Sequence, residues 1–327
     1  MTAERIAVVQ NGGGFTGANI GLWKALFRRG KIPKKIQGVS VGALNAAMVV
    51  QDGPDTLEKH WRKVGRGKPG DIFSWKGVPW HIIKSEQSLL SDYGLNKLME
   101  NIDCQKIINS EIELEAVAMN KNKRRMEVFS SRDERFKKDP ELLRRAIKAS
   151  ASLTGYFPKV KIGNDYYADG YYFHLDHLKG FDTIFVILND DPCPAPEPDD
   201  GPPWYKDLRI GFRQVLDDMD ERQCRDFLRD NPEFQLFTPP ESEQGFFKTI
   251  IDKLKSFPAN VAAKVEEVLT GEPQFPKRLV ITSPDLSIPS LTLDDYRPGD
   301  IDRRIDFSNK QAEKLLDQVY PETKAAE

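Results

Sequence analysis

The sequence predicts a doubly wound α/β fold, in which a mainly parallel sheet lies between two layers of helices. The apolar run Ile6-Ala7-Val8-Val9 is typical of a parallel strand that is buried on both faces. The first fifty residues alternate strand, glycine turn, helix, strand, turn and helix, and this βαβα order is characteristic of such sheets. A chain of 327 residues, 39% of them hydrophobic, is also long and apolar enough to bury the core of one large domain.

The elements of this opening follow from apolar spacing and from glycine. Residues 18–29 carry apolar side chains at helical spacing, and Gly30 is a typical helix stop. Residues 36–39 predict a second strand, and residues 43–50 predict a short apolar helix behind it. Residues 5–51 contain seven lysines or arginines and no acid, so we expect a basic, glycine-rich end of the domain.

The same two periodicities define the later elements. They predict strands at 111–120, 126–129, 183–188 and 278–282, and helices at 141–149, 204–229, 244–269 and 308–319. Residues 189–203 contain six prolines, which excludes the interior of a helix or a strand there. The simplest organisation is a single domain over residues 1–327 with a largely helical insertion at 190–276.

Composition excludes several classes of protein. The formal charge of −2 argues against a nucleic-acid-binding protein, which usually carries a basic excess on one face. Cys104, Cys193 and Cys224 lie far apart, so we expect neither a disulfide framework nor a zinc site built from cysteines. His174 and His177 suggest a metal site by their spacing, but no further ligand cluster is evident and packing histidines are favoured. We therefore expect no metal.

Gly12, Gly14 and Gly17 form a G-x-G-x-x-G pattern between the first strand and the first helix. Without side chains, the backbone N–H groups at the start of a helix can approach an anion closely. A dinucleotide site has the same context, but NAD requires an acid at the end of the next strand to bind its ribose, and the sequence has none there. An NADP site remains as an alternative, with Lys34 and Lys35 on the 2′-phosphate.

Residues 38–42 form a G-x-S-x-G motif between a strand and a helix. In that context Gly38 and Gly42 permit a sharp turn that projects the serine hydroxyl, so Ser40 is a candidate nucleophile. A Ser-His-Asp triad of the α/β-hydrolase type needs a histidine late in the chain. The last histidine is His177, so a triad of that type is difficult to build.

A serine without a histidine needs another base, and a carboxylate near the ends of the strands is the natural candidate. Asp169-Gly170 is a turn dipeptide directly after a predicted strand. Asp165 and Asp176 are the rival bases. The glycine loop, one strand earlier, offers backbone N–H groups that an oxyanion requires.

The glycine loop, the early G-x-S-x-G and the late Asp-Gly, in this order, resemble the patatin-like phospholipase family. Residues 149–152 and 156–158 resemble the family's segment before its aspartate, and the likeness covers about Arg5 to Asn189. The resemblance implies a lipid acyl hydrolase with a Ser-Asp dyad and no cofactor. It makes Ser40 the nucleophile and Asp169 its base. It assigns the oxyanion hole to the amides of Gly12, Gly13 and Gly14.

Two positions depart from the pattern of the family. Thr16 stands in the glycine loop where the family commonly has arginine or lysine, and Tyr171 stands where a second glycine or alanine is usual. Thr16 bears on the contacts that hold the glycine loop in place, and Tyr171 bears on how open the site is to substrate. Neither departure removes a reacting group.

We therefore expect the chain to cleave carboxylic ester bonds of membrane lipids through an acyl-enzyme at Ser40. The alternatives are an esterase or thioesterase for soluble acyl esters, an NADP-binding oxidoreductase, and a protein that keeps these turns without chemistry. No apolar run is long enough to span a bilayer and no signal-type core is evident, which predicts a cytoplasmic protein. We expect peripheral membrane contact through residues 245–257 or through the aromatic segment 72–80.

Overall fold

The structure is a computed structural model that describes residues 3–13, 20–66, 92–155, 157–188, 222–237, 277–282 and 299–321. Its strands are β1 (Ile6–Gln10), β2 (Lys35–Val39), β3 (Glu113–Asn120), β4 (Arg125–Ser130), β5 (Val160–Ile162), β6 (Asp165–Asp169), β7 (Thr183–Ile187), β8 (Phe234–Phe237) and β9 (Lys277–Thr282). Its helices are α1 (Gly21–Arg28), α2 (Val41–Asp52), α3 (Pro54–Arg66), α4 (Tyr93–Met99), α5 (Cys104–Asn109), α6 (Glu134–Lys138), α7 (Pro140–Ser150), α8 (222–230) and α9 (Asp300–Val319).

The nine strands of the described residues form one sheet. Its order is β5-β6-β3-β2-β1-β7-β9-β8, and β4 pairs with β3 beside this path. The strands from β3 to β8 along this order are parallel, whereas β4 and β6 run antiparallel to β3. The prediction of a mainly parallel sheet is confirmed.

Helices cover both faces of the sheet, as the predicted doubly wound fold requires. On one face, Ile6 and Val8 of β1 belong to a core that includes residues of α1, α2, α7 and α9. On the other face, Ala7 and Val9 pack with Leu175 of a 3₁₀ turn and with residues of α8. Because successive side chains of a strand point to opposite faces, a strand covered on both sides is apolar at every position.

The closing helix α9 is bound closely to α1, the helix that follows the glycine loop. A Cβ at Gly21 would overlap the backbone of Ser308, so only glycine permits this crossing. Ser308 Oγ accepts a 2.7 Å hydrogen bond from the N–H of Gly21, which is one of the first amides of α1 and has no acceptor within its own helix. Arg28 and Arg29, at the other end of α1, form ion pairs with Glu313. Helix α9 therefore fixes both ends of α1.

The basic start of the sequence does not become a basic surface. Five of its seven cations form ion pairs with acids of other segments: Lys24 with Glu58, Arg28 and Arg29 with Glu313, Lys31 with Glu4, and Lys35 with Glu115. The excess of positive charge in this stretch is neutralised by contacts that bring distant parts of the chain together.

Several elements differ from the sequence-based expectation. The closing helix begins at Asp300 rather than at 308, directly after Gly299, whose φ of 92° is a conformation that glycine adopts easily. Helix α3 was not predicted, because its charged side chains obscure its apolar stripe. Within the predicted insertion, residues 222–230 are helical as expected, and β8 joins the main sheet beside β9. The rest of 190–276 lies outside the described residues.

Glu4 connects five segments at the edge of the sheet opposite the carboxyl ends of the parallel strands. Its Oε1 accepts hydrogen bonds from Thr183 Oγ1 at 2.7 Å, Tyr320 Oη at 3.0 Å and Arg278 Nη1 at 3.2 Å. Its Oε2 accepts from Lys31 Nζ at 2.9 Å. Burial raises the pKa of the Glu4 carboxyl, but the hydrogen bonds and the charge of Lys31 outweigh it and hold that pKa below its usual value.

We expect Glu4→Gln to lower the free energy of unfolding at neutral pH by about 1–3 kcal/mol, because Lys31 and Arg278 lose their charged acceptor. A lowered folded pKa means that this stabilisation is complete above the unfolded pKa of about 4.3 and is lost as the pH falls through the folded pKa. Urea unfolding of wild type and variant should therefore converge below about pH 4. The exposed Glu111→Gln is the matched control, and an equal loss of stability in that variant would contradict the role of Glu4.

Candidate active site

Ser40 lies in the tight turn between β2 and α2. Its backbone has φ 56° and ψ −129°, a conformation that is strained for any residue with a side chain. A Cβ at Gly42 would overlap the carbonyl oxygen of Gln10, and a Cβ at Gly38 would lie 2.5 Å from Ala43 Cα. Both glycines of the motif are therefore needed for the strand and the helix to approach each other, and the turn holds the serine hydroxyl at the end of the sheet.

Asp169 ends β6 and faces Ser40. The strand pairs Val39 with Val117 and Ala118 with Asp169 bring the two residues to the same level on either side of β3. Ser40 Oγ donates a 2.7 Å hydrogen bond to Asp169 Oδ2. A Cβ at Gly170 would overlap the carbonyl oxygen of Val117, so glycine after the aspartate is required for this close approach.

The Asp169 carboxyl is almost completely buried, with 3% of its residue surface exposed. Burial raises the pKa of this carboxyl well above its usual value, and the hydrogen bond from Ser40 opposes the shift only in part. Among the described residues no lysine, arginine or histidine forms an ion pair with it. A buried carboxylate without a cation is a stronger base than an exposed one.

The end of α7 holds both members of this pair. Ser150 Oγ accepts a 3.0 Å hydrogen bond from the N–H of Ser40 and donates one of 2.6 Å to the carbonyl of Val117. The N–H of Asp169 donates to the carbonyl of Ser152 at 2.9 Å. In the sequence, residues 149–152 stand out only by their resemblance to the family's segment before its aspartate, which does not predict these contacts. Their run of small residues at the end of a helix is the one local signal of this close packing.

A second contact that the sequence did not reveal joins β2 to the segment after Asp169. Gln37, buried on β2, accepts a 2.6 Å hydrogen bond from the N–H of His174 and donates one of 3.4 Å to the carbonyl of the same residue. Its amide also donates to Glu115 Oε2 at 2.8 Å. A polar residue inside an otherwise apolar strand was the signal, because a buried amide needs partners.

The glycine loop lies against the serine. A Cβ at Gly12 would be 2.5 Å from Ser40 Cβ and 3.2 Å from its Oγ, so the loop backbone is packed on the candidate nucleophile. The N–H of Gly12 donates a 2.8 Å hydrogen bond to Asn11 Oδ1. Gly13 has φ 138°, which favours glycine, and Gly14 lies outside the described residues.

The other candidates of the sequence analysis lie elsewhere. Asp165, at the far end of β6, pairs with Lys123 at 2.9 Å, and Asp176 is exposed in the 3₁₀ turn. The rings of His174 and His177 stack at 5.6 Å. The part of the chain that the structure describes contains no group of three acidic, histidine or cysteine side chains able to hold a metal ion.

Tyr171, one of the departures from the family pattern, lies at the rim of the site. Its hydroxyl donates a 2.5 Å hydrogen bond to Thr154 Oγ1. Burial raises the pKa of Tyr171, and the charge of Asp169 raises it further. The segments before and after the aspartate are thus joined across the site. The other departure, Thr16, lies outside the described residues.

Both segments that we expected to contact a membrane, 72–80 and 245–257, lie outside the described residues. Within the described ranges, no helix combines the length and the apolar character that crossing a bilayer requires.

The family of patatin-like phospholipases matches residues 8–174, which is just over half of the chain. No curated protein matches the chain. Among solved structures, VipD from Legionella pneumophila is 14% identical with a TM-score of 0.42, and the alignment covers 97% of this chain and 67% of that one. ExoU from Pseudomonas aeruginosa, solved with SpcU, is 14% identical with a TM-score of 0.30, covering 82% of this chain and 60% of that one. The family match includes the glycine loop, the serine turn and Asp169, and the chain belongs to the patatin-like phospholipase family, a family of lipid acyl hydrolases.

Proposed function

We propose that the protein cleaves the carboxylic esters of membrane phospholipids or lysophospholipids with Ser40 as nucleophile and Asp169 as base. The observation that supports this most is the 2.7 Å hydrogen bond from a serine in a strained turn to a buried carboxylate. A nucleophile and a base within hydrogen-bond reach are the requirement for acyl transfer. The family match supports lipid esters as the class of substrate.

The reaction proceeds in two halves. Asp169 Oδ2 takes the proton of Ser40 as Oγ bonds to the ester carbonyl, and the carbonyl oxygen becomes an oxyanion. Collapse of this intermediate breaks the bond to the alcohol, which leaves with the proton from Asp169. Water then attacks the acyl-enzyme, again losing its proton to Asp169, and the fatty acid leaves as Ser40 recovers its proton.

The raised pKa of Asp169 makes its carboxylate a suitable general base for the Ser40 hydroxyl. An exposed aspartate titrates near pH ~4 and is a weak base for a hydroxyl at neutral pH. General bases act best when their pKa lies near the working pH, and burial without a neighbouring cation moves Asp169 in that direction. A bound lipid would exclude water further and strengthen the same effect.

We assign the oxyanion-binding role to the amides of the glycine loop, at Gly12, Gly13 and Gly14. Gly12 also brings the loop backbone against Ser40, and its amide donates to Asn11 Oδ1. Gly38, Gly42 and Gly170 support the two turns by their lack of side chains.

The same groups would also hydrolyse soluble esters or thioesters, so the rates on phosphatidylcholine vesicles and on p-nitrophenyl butyrate distinguish the two classes of substrate. At Gly12, the one glycine of the loop whose neighbours are described, the backbone packs on Ser40, and this contact favours a serine hydrolase over an NADP site. We further propose that the protein acts on lipid esters from the aqueous side and meets the membrane peripherally.

We expect Ser40→Ala and Asp169→Asn each to lower kcat/KM by about a thousandfold or more, because one removes the nucleophile and the other removes the base. Hydrolysis of phosphatidylcholine in vesicles and of p-nitrophenyl butyrate measures the loss. Labelling by a fluorophosphonate probe should disappear in Ser40→Ala. Asp176→Asn, a rival base, is the matched control and should keep wild-type rates. Comparable rates in Asp169→Asn and wild type would exclude the dyad.

The pH dependence of kcat/KM should follow the ionisation of Asp169. Because only the carboxylate accepts a proton, the rate rises with pH, with its midpoint well above pH ~4. A folded pKa above the unfolded one also means that the folded state loses stability as the pH rises toward the folded pKa. Asp169→Asn should therefore unfold at a higher temperature than wild type at neutral pH. A rate midpoint near pH ~4 would contradict the raised pKa.

Ser150→Ala should lower kcat by roughly ten- to a hundredfold with little change in KM, because the amide of Ser40 and the carbonyl of Val117 lose their shared partner. The matched control is Ser131→Ala, which removes another fully buried hydroxyl that accepts a 3.0 Å bond from a backbone amide, that of Leu114. Both variants should lose similar stability in urea. If Ser150→Ala and Ser131→Ala lowered kcat equally, Ser150 would only stabilise the fold and would not position Ser40.

A further inference from the structure

Two hairpins project beyond the edge of the sheet at which Ser40 and Asp169 lie. Strand β2 ends where Val39 pairs with Val117, but β3 continues to Asn120 and turns into β4. Strand β6 runs antiparallel beside it, and Asp165 at its start pairs with Ile162 of β5. At a rise of about 3.3 Å per residue, both hairpin tips reach about 13 Å past the level of the dyad.

The tips of these hairpins, which we call the basic tips, are strongly cationic. They carry six exposed cations: Lys121, Lys123, Arg124, Arg125, Lys159 and Lys161. Their acids are Glu127 and Asp165, which pair with Lys123 and Arg125. Residues 120–127 and 159–167 therefore carry four net positive charges, although the whole chain carries −2.

An exposed aromatic side chain lies among these cations. Tyr166 on β6 is 36% exposed, and Lys159 Nζ lies 4.7 Å from the centre of its ring. Its cross-strand neighbour is Lys161. Tyrosine with lysine is a common pair at membrane surfaces, where the ring lies among the headgroups and the ammonium contacts phosphates.

The turn itself presents arginine where the backbone favours another residue. Arg124 has φ 53°, and with Ser40 it is one of two residues other than glycine in this region among the described residues. The turn is held by Asn120 Oδ1, which accepts hydrogen bonds from the amides of Asn122 and Lys123. Glycine or asparagine would adopt the conformation of Arg124 more easily. Arginine therefore places a positive charge at the tip, at a position where the backbone conformation favours glycine or asparagine.

We propose that the basic tips dock the protein on the surface of an anionic lipid bilayer. The charges are complementary to anionic headgroups, and the tips belong to the strands that carry and flank Asp169. A bilayer is preferred over a nucleic acid because one exposed ring offers no platform for successive bases. The choice of a bilayer rests on the proposed function, whereas the arrangement of charge does not.

The first test measures partitioning onto vesicles in the Ser40→Ala background, so that binding is separated from hydrolysis. The vesicles are phosphatidylcholine alone or phosphatidylcholine with about one third phosphatidylserine. The substitutions Lys121→Gln, Arg124→Gln and Lys161→Gln together should weaken partitioning onto the anionic vesicles about a hundredfold. Raising the salt concentration should weaken it as well.

The matched control removes three positive charges elsewhere, with Lys34→Gln, Lys138→Gln and Lys179→Gln. These lysines are exposed, and Lys34 and Lys179 precede β2 and β7 at the opposite edge of the sheet. Partitioning of the control should equal that of the parent. Equal weakening in both triple variants would overturn the proposal, because net charge alone would then explain the binding.

The second test uses Arg124→Gly, for which a docking role and a structural role predict different results. Relief of the strained conformation should raise the melting temperature, while loss of one charge should weaken vesicle binding about fivefold. A gain of stability with unchanged binding would overturn the proposal. So would equal binding of the parent to neutral and anionic vesicles, or retention of a single-stranded oligonucleotide without vesicle binding. Failure of ester hydrolysis in the wild type would count against the proposed function and leave these binding results intact.

Discussion

The hydrogen bond from Ser40 Oγ to Asp169 Oδ2 is the interaction on which the rest of the site depends. It requires the ends of β2 and β6, which are far apart in sequence, to lie at the same height along the sheet. Strand β3 brings them there because it pairs with β2 on one side and with β6 on the other. The two neighbours run in opposite directions, so the serine follows the end of a parallel strand and the aspartate ends an antiparallel one. A wholly parallel sheet would need a crossover connection to place a carboxylate so close to the serine.

Ser40 and Asp169 lie within hydrogen-bond distance because several backbone segments approach each other closely at glycines. Gly42 lies on the carbonyl of Gln10, Gly170 on that of Val117, and Gly12 on Ser40. The strained conformation of Ser40 persists because its amide donates to Ser150 Oγ and the backbone of Gly12 packs against it. These contacts confine the turn that carries Ser40, and they offset the energetic cost of its strained backbone.

The sequence was informative where a local rule determines structure. The apolar run of β1, the glycines of the serine turn and the Asp169-Gly170 turn could be predicted because backbone geometry demands those residues. Ser150 and Gln37 could not be found, since their partners are distant in sequence and set by tertiary packing. Helix α9 was predicted too short for the same reason: Ile301 and Ile305 are buried against other elements, and isolated periodicity near a glycine gives no sign of that.

Charge distribution separates the two edges of the sheet. At one edge Glu4 forms ion pairs with Lys31 and Arg278, and five of the seven lysines and arginines of residues 5–51 form ion pairs with acids of other segments. At the edge of the dyad, Lys121, Arg124 and Lys161 are exposed and form none among the described residues. Paired cations stabilise a fold locally, whereas unpaired ones create a field that acts on other molecules. The surface for which we propose an anionic bilayer is therefore on the side of the sheet where Ser40 and Asp169 lie.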